Sequence, residues 1–235
     1  MNKMNIKLFA DGADKEGIME MYENPIIDGF TTNPTLMKLA GIKDYIEFAK
    51  DILKEIKDKP VSFEVFADEL SEMQRQAFEI ASWGSNVYVK IPICNTKQQS
   101  TETIIKALSS ENVKLNITAI LSLEQVRTVA DSLNTEQSAF VSVFAGRIAD
   151  TGRDPIPYMI EALKILEPIP KAELLWASPR EVLNVYQAQE IGCHIITATN
   201  NILKKLSLFN KNLNEYSLDT VKMFYNDATK AGYKI

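Results

Sequence analysis

A lysine near the end of an apolar strand is the residue of this sequence with the most distinctive chemistry. The stretch SNVYVKIPIC, residues 85–94, alternates between two faces, and Lys90 shares one face with Asn86 and Tyr88 just before Pro92. Burial disfavours the ammonium form, so a lysine in such a strand can act as a neutral amine nucleophile. The sequence therefore predicts amine chemistry here, provided that other strands bring matching groups to Lys90.

Side chains of the other predicted strands also leave the apolar face near the strand ends. They are Asp11 in the first strand, Thr31 and Asn33 in the second, Glu64 in the third, Asn116 and Thr118 in the fifth, Ser142 and Phe144 in the sixth, and Ser178 in the seventh. Burying the polar members of this set without partners would be strongly unfavourable. Together they indicate a site rather than core filling.

Single members of the set also have structural interpretations. Asp11 could cap the helix that follows it, and Asn33 before Pro34 could serve only a turn. Glu64 lies amid apolar residues in VSFEV, and Lys90 could be its partner in a purely structural ion pair. The threonines could be ordinary strand formers. The functional interpretation therefore depends on the whole set.

The grouped side chains match one type of reaction. A neutral lysine amine attacks a ketone, loses water and leaves an iminium, whose positive nitrogen lets an adjacent C–C bond break. Asp11 and Glu64 fit the acid and base steps of that cycle, and Thr118 could orient a water molecule. Asn33 and Asn116 are suited to hold substrate hydroxyls.

Two arginines and a serine predict an anion site beside this cluster. Arg147 follows the sixth strand in AGRIADTG, and Arg180 follows the seventh in ASPRE. Ser178 is expected near the amino end of the seventh helix, with Pro179 in its first turn, where free backbone N–H groups favour anions. The arginines could instead be solvated surface residues. Grouped with the serine, they would hold a sugar phosphate.

Strands and helices alternate along the whole chain. The predicted strands cover 6–12, 26–34, 61–68, 86–92, 113–121, 138–146, 173–178 and 194–200. Eight such units predict an α/β fold, a closed (β/α)8 TIM barrel; the alternative, an open doubly wound sheet, would show a Gly-rich loop after its first strand. One long helix is expected over 35–58, and one additional helix after the turn-like segment 210–217. We therefore expect a single barrel domain over 1–235, with 218–235 as terminal helix and tail.

Composition and charge narrow the function classes. A net charge of −5 argues against a nucleic-acid backbone as the main ligand. The sequence shows neither a secretory h-region nor an apolar run of roughly 18 residues, so we expect no membrane segment and a cytoplasmic location. Cys94 and Cys193 are expected to be reduced thiols. A single histidine, His194, leaves no His-rich metal centre and is interpreted as structural.

Six segments of the chain resemble the transaldolase family, particularly its small single-domain members. They are GFTTNPTL, VSFEV, VYVKIP, LNITAILS, SVFAGRIADTG and TVKMFYNDATKAG. The resemblance implies a class I aldolase barrel that moves a dihydroxyacetone unit between sugar phosphates of the fructose 6-phosphate, erythrose 4-phosphate and sedoheptulose 7-phosphate class. It further implies the pentose phosphate pathway, no metal or cofactor, and a homo-oligomer.

The resemblance also implies a role for each matching residue. Lys90 would form the Schiff base, Asp11 would be the acid and base at C–C cleavage, and Glu64 with Thr118 and a water would serve the dehydration steps. The substrate chain would be contacted by Thr31, Asn33, Asn116 and Ser142, and the phosphate by Arg147, Ser178 and Arg180. Fructose-6-phosphate aldolase, a close relative, resembles the chain in size but has Gln at the position of Glu64 and Tyr at that of Phe144.

Some positions depart from the family pattern. The eighth strand ends in TATNN where a Val-Pro or Ile-Pro pair is common, Trp176 is unusually bulky, and Pro179 replaces an apolar residue. Two other functions therefore stay open beside a transaldolase. One is an aldolase that works with free dihydroxyacetone, and the other is a catalytically inactive barrel that binds a sugar phosphate.

Overall fold

Alternating polar and apolar residues build a closed barrel of parallel strands in the computed structural model, which describes residues 4–235. Within that range the strands are β1 (Lys7–Asp11), β2 (Ile27–Thr31), β3 (Val61–Glu64), β4 (Val87–Pro92), β5 (Leu115–Ile120), β6 (Ala139–Val143), β7 (Ala172–Trp176) and β8 (Ile195–Thr199). Each strand pairs with its neighbours in chain order, and β1 pairs with β8. The predicted (β/α)8 barrel is confirmed.

Helices alternate with the strands along the chain. They are α1 (Lys15–Tyr22), α2 (Pro34–Leu39), α3 (Tyr45–Glu55), α4 (Leu70–Ala81), α5 (Glu102–Ser110), α6 (Leu123–Ser132), α7 (Ala145–Asp150), α8 (Ile156–Leu166), α9 (Leu183–Glu190), α10 (Asn200–Lys204) and α11 (Leu213–Ala231). The helices of the unit that ends at Leu203 bury apolar side chains, such as Ile52 of α3 and Ile105 of α5. Ser122 and Gln125 form a capping box at the amino end of α6.

An aromatic layer fills the inside of the barrel below the strand ends. The rings of Tyr88 and Phe140 stack with centroids 3.9 Å apart, and Phe9 meets Phe140 edge to face at 5.4 Å. Gly29 makes room for this layer, because a Cβ there would lie 2.6 Å from the Phe9 ring. The next side chains along each strand, toward its carboxyl end, therefore lie on a packed floor.

Two helix predictions within the unit that contains the barrel are wrong in their bounds. The run 35–58 is not one helix but α2 and α3, because the chain leaves α2 through Gly41 at φ +71°. After β7, the helix begins only at Leu183, so Pro179 is not in its first turn. The Asn184 side chain explains the delay, since its Oδ1 accepts the N–H groups of Arg180 at 2.8 Å and Glu181 at 3.2 Å in a preceding turn.

The chain forms two compact units, one that contains the barrel and ends at Leu203, and one that covers Lys204–Ile235. The second unit holds α11, which begins at Leu213 rather than at the predicted Leu218. Asn212 caps its amino end by accepting the N–H of Asn214, and Gly232 at φ +68° ends it. Residues 213–217 of the segment predicted to be a turn therefore belong to the helix.

In the part of the chain that the structure describes, every helix is too short or too polar to cross a bilayer. The first three residues, which belong to the stretch searched for a secretory signal, lie outside the described range.

Candidate active site

Lys90 lies beside Glu64 because β3 and β4 pair in that register. The lysine is 7% exposed, and its Nζ lies 3.3 Å from Glu64 Oε2. The same Nζ donates a hydrogen bond to the carbonyl of Thr32 at 2.9 Å. A buried amine thus has one carboxylate as its ion-pair partner, as the structural interpretation requires. The pair also gives the amine an adjacent proton acceptor.

Asp11 is the last residue of β1 and lies close enough to Lys90 to interact with its charge. Thr31 Oγ1 donates to its Oδ1 at 2.8 Å, and Asn33 Nδ2 lies 3.4 Å from its Oδ2. Burial raises the pKa of Asp11, while the charge of Lys90 and these two hydrogen bonds oppose the rise without cancelling it. Asp11 therefore keeps a proton to higher pH than a solvated aspartate, which suits a group that must both take and give one.

Asn33 has two roles that the sequence presented as alternatives. Its Oδ1 accepts the Leu36 N–H at 2.9 Å and so caps α2. Its amide nitrogen remains directed at Asp11. The capping bond fixes the side chain, so only its N–H groups are offered to the cavity.

Thr197 on β8 belongs to this cluster, although it is absent from the predicted set. Its Oγ1 lies 2.5 Å from Thr31 Oγ1. Because Thr31 gives its single hydroxyl proton to Asp11, Thr197 must donate to Thr31. The alternation of Thr197 and Thr199 with the apolar residues Ile196 and Ala198 in HIITATN was the signal that could have identified it.

Asn116 occupies a deeper layer than predicted. It is fully buried, donates from Nδ2 to Ser62 Oγ at 2.9 Å, and accepts from Ser142 Oγ at 2.6 Å. Both ends of its amide are thus engaged with side chains of β3 and β6. Ser62, two residues before Glu64 on the same strand face, was also missed by the sequence analysis.

Thr118 presents a buried hydroxyl to the cavity. Among the described residues, nothing forms a hydrogen bond with its Oγ1. The next residue, Ala119, has φ +60°, and the pairing of β5 with β6 is irregular at this point. An irregularity of this kind changes the direction of nearby side chains. Its unusual backbone conformation costs energy and persists only where the surrounding structure holds it in place.

The opposite side of the cavity carries the predicted arginines, both exposed. Arg147 lies in α7, with its guanidinium 5.3 Å from the centre of the Phe144 ring. Arg180 donates from Nε to Asp150 Oδ1 at 2.8 Å and from Nη1 to Ser178 Oγ at 3.0 Å. Ser178 stands in a loop before α9, so the predicted contribution of a helix amino end at this serine is wrong.

Gly146 allows the loops after β6 and β7 to meet. A Cβ at this position would lie 1.6 Å from the carbonyl oxygen of Ser178, closer than any side chain could tolerate. Ser178 itself has φ +61°, a left-handed conformation that is unusual for serine. The close approach brings Ser178 and Arg147 to one side of the cavity.

These groups line one cavity of about 560 Å³ at the carboxyl ends of the strands. Its wall includes every predicted site residue except Asn116, together with Thr197. Trp176 is fully buried and does not line it. Within residues 4–235, no group of three or more His, Cys, Asp or Glu side chains is arranged to hold a metal ion.

The chain is similar in sequence to known proteins. The chain matches the profile of the family described as Transaldolase/Fructose-6-phosphate aldolase over residues 8–235. It is 35% identical over 231 residues to a protein of Brucella anthropi, a match that covers 98% of this chain and all of the relative. A protein of Methanococcus maripaludis is 34% identical over 202 residues, which cover 86% of this chain and 89% of the relative. Both relatives are named "Probable transaldolase".

Proposed function

The chain belongs to the transaldolase/fructose-6-phosphate aldolase family, and from this premise we propose that it is a transaldolase. It carries a dihydroxyacetone unit from one sugar phosphate to another on the amine of Lys90. The observation that carries the proposal is the buried pair of Lys90 and Glu64, 3.3 Å apart in the wall of the cavity. The pathway we propose is the pentose phosphate pathway of the cytoplasm, and the assembly a homo-oligomer.

The first half of the reaction joins the ketose to the enzyme. Glu64 takes a proton from Lys90, whose amine adds to the ketone carbon and forms a carbinolamine. Glu64 then returns a proton to the carbinolamine oxygen, which leaves as water, and the nitrogen becomes a positive iminium. The unsatisfied hydroxyl of Thr118 is suited to orient the water that relays this proton.

The second half breaks and remakes a C–C bond. Asp11 takes the proton of the hydroxyl on the far carbon of this bond, that carbon becomes the aldehyde carbon, and the bonding electrons move toward the iminium to give an enamine. An aldose phosphate leaves, another enters, and the same steps run in reverse with Asp11 as the acid. The raised pKa of Asp11 fits a group that alternates between its two protonation states. Thr31, Asn33, Ser142 and Phe144 surround the sugar chain.

The phosphate is placed against Arg147, Ser178 and Arg180. Asp150 forms an ion pair with Arg180, so a phosphate must compete with this carboxylate or share the guanidinium with it. A guanidinium has five N–H donors, and the one that meets Ser178 lies on the cavity side.

Reduction of the iminium with borohydride tests the proposal. Fructose 6-phosphate with borohydride should leave a stable adduct on Lys90, located by peptide mass spectrometry. The Lys114→Met variant is the matched control, because Lys114 is a partly buried lysine whose Nζ donates to a carbonyl, that of Ser85. Binding of fructose 6-phosphate without an adduct would contradict the proposal and favour an inactive sugar-phosphate-binding barrel.

The requirement for an acceptor separates a transaldolase from an aldolase. Turnover of fructose 6-phosphate should depend on an added aldose phosphate such as erythrose 4-phosphate. Rapid release of free dihydroxyacetone without an acceptor would instead assign the chain to the aldolase branch of its family. Glu64 and Phe144 favour the transaldolase, because the aldolase that the chain resembles has Gln and Tyr at these positions.

A further inference from the structure

The hydrogen-bond ladder between β2 and β3 stops where the catalytic groups begin. The N–H of Phe30 donates to the carbonyl of Pro60 at 2.8 Å. The N–H of Thr32 donates to the carbonyl of Ser62 at 3.2 Å. The next donor in this alternating series would be residue 34, which is proline and has no N–H. The ladder therefore cannot continue to Glu64.

Tyr45, the first residue of α3, supplies the hydrogen bonds that β2 cannot give to Glu64. Its hydroxyl donates to the carbonyl of Glu64 at 2.9 Å and accepts the N–H of the same residue at 2.7 Å. One phenol oxygen thus pairs both main-chain groups of Glu64 that β2 leaves without a strand partner. A buried main-chain group without a partner is costly, so this contact stabilises the end of β3.

The ring of Tyr45 is fixed by other aromatic rings. Its centroid lies 6.2 Å from that of Phe63, 4.4 Å from that of Phe66 and 5.8 Å from that of Trp83, all near edge to face. Burial raises the pKa of Tyr45 further above its already high ordinary value. The hydroxyl therefore keeps the proton that it donates at every pH at which an enzyme of this kind works.

The hydrogen bonds from Tyr45 also leave a main-chain carbonyl available to Lys90. In an uninterrupted parallel ladder, the Glu64 N–H would donate to the carbonyl of Thr32. Because Tyr45 accepts that N–H, the Thr32 carbonyl is available and accepts the Nζ of Lys90 at 2.9 Å. The phenol thus holds the main chain of Glu64 and leaves a carbonyl for Lys90.

We propose that Tyr45 is a positioning residue for the Glu64–Lys90 pair. It fixes the main chain from which Glu64 reaches the amine, although Tyr45 itself does not line the cavity. The inference rests on the proposed function, in which Glu64 relays protons to and from Lys90. A relay of this kind is sensitive to displacements well below 1 Å.

The Tyr45→Phe variant removes the hydroxyl and keeps the ring contacts. We expect kcat to fall about tenfold while KM for the ketose changes by less than about twofold, since the loss acts on proton transfer. Tyr22→Phe is the matched control. The Tyr22 hydroxyl donates to Asp58 at 2.8 Å, outside the cavity, so this variant should keep the kinetics of the unmodified chain.

A double-mutant cycle with Glu64→Gln separates positioning from general stabilisation. If Tyr45 acts through Glu64, adding Tyr45→Phe to Glu64→Gln should lower kcat no further. A tenfold loss that persists in the Glu64→Gln background would overturn the inference and leave the proposed function intact. An unchanged kcat in Tyr45→Phe alone would do the same. A Glu64→Gln variant with full activity would instead overturn the relay itself, and with it both proposals.

Hydrogen exchange in the unmodified chain gives a check that needs no variant. The amide of Glu64 should exchange slowly, at a rate comparable to that of Val65, which donates to the Lys90 carbonyl at 3.0 Å. Exchange of the Glu64 amide at the rate of a solvated loop would show that the Tyr45 hydroxyl does not hold it, and would overturn the inference.

Discussion

The two sides of the cavity hold their charges in opposite ways. On the reactive side, formed by Asp11, Glu64 and Lys90, the side chains of the ion pair are only 8% and 17% exposed for the lysine and the glutamate. On the anion side, formed by Arg147, Ser178 and Arg180, the side chain of Arg180 is 45% exposed and that of its partner Asp150 is 51% exposed.

This difference separates chemistry from affinity. Buried charges interact strongly and exchange partners slowly, so the reactive side is preorganised for proton transfer. Exposed ion pairs contribute little and rearrange readily, so Arg180 can pass from Asp150 to a phosphate at low cost. We therefore expect substitutions on the reactive side to change kcat, and substitutions on the anion side to change KM.

The largest effect is expected for Lys90→Met. Without an amine no iminium forms, so kcat should fall by about 10⁴-fold or more, and the borohydride adduct should disappear. Binding of fructose 6-phosphate, measured by calorimetry, should persist because the anion side is intact. Substantial residual turnover would show that the reactive side does not act through this lysine.

Arg180→Gln should have a smaller effect of a different kind. The loss of one charged phosphate contact should raise KM for phosphorylated sugars about ten- to a hundredfold and leave kcat within about threefold. Steady-state kinetics with an unphosphorylated sugar provide the comparison, because KM for such a sugar should be nearly unchanged. A fall in kcat with constant KM would contradict the prediction that substitutions on the anion side change KM rather than kcat.

Asp150→Asn should act in the opposite direction from Arg180→Gln. Neutralising the carboxylate frees Arg180 for the phosphate, and an exposed pair of this kind contributes little and is screened by solvent. KM for phosphorylated sugars should therefore fall by up to about fivefold, most clearly at low ionic strength. A rise in KM would show that Asp150 orients Arg180 rather than competing for it.

The reactive side could be predicted from the sequence because strand alternation is a local property. Lys90, Glu64 and Asp11 each lie near the end of a strand, so placing them together needed only the order of strands in a barrel. Thr197 and Ser62 satisfied the same rule and were overlooked. Asn116 obeyed it as well, yet it lies too deep, because alternation gives the face of a strand and not the depth.

Other features depend on contacts between distant segments, which no local pattern reveals. Tyr45 meets Glu64 only because Pro34 interrupts a ladder and α3 packs at that point. The need for glycine at position 146 arises from the Ser178 carbonyl on another strand loop. The delayed start of α9 depends on Asn184, whose side chain competes with the helix for main-chain donors. Each of these outcomes required the three-dimensional arrangement.

The last comparison concerns stability rather than kinetics, and sets Asp11→Asn against Asp150→Asn. Burial raises the pKa of Asp11, so its contribution to stability is fully present below the unfolded-state pKa of about 3.9 and is lost as pH rises through the folded-state pKa. Arg180 lowers the pKa of Asp150, so its contribution has the opposite course: it is present above that unfolded-state value and is lost as pH falls.

As the pH rises from about 3 to about 7, the free energy of unfolding of Asp11→Asn should therefore increase relative to that of the unmodified chain. The reason is that an amide avoids the buried charge that the carboxyl acquires. Asp150→Asn should show no gain, and at most a slight loss at pH 7, because its ion pair is exposed. Urea unfolding at the two pH values measures both differences. If Asp11→Asn instead lost stability relative to the unmodified chain between pH 3 and pH 7, Lys90 would stabilise the carboxylate more than burial penalises it. The reactive side would then not be held at a cost to the fold.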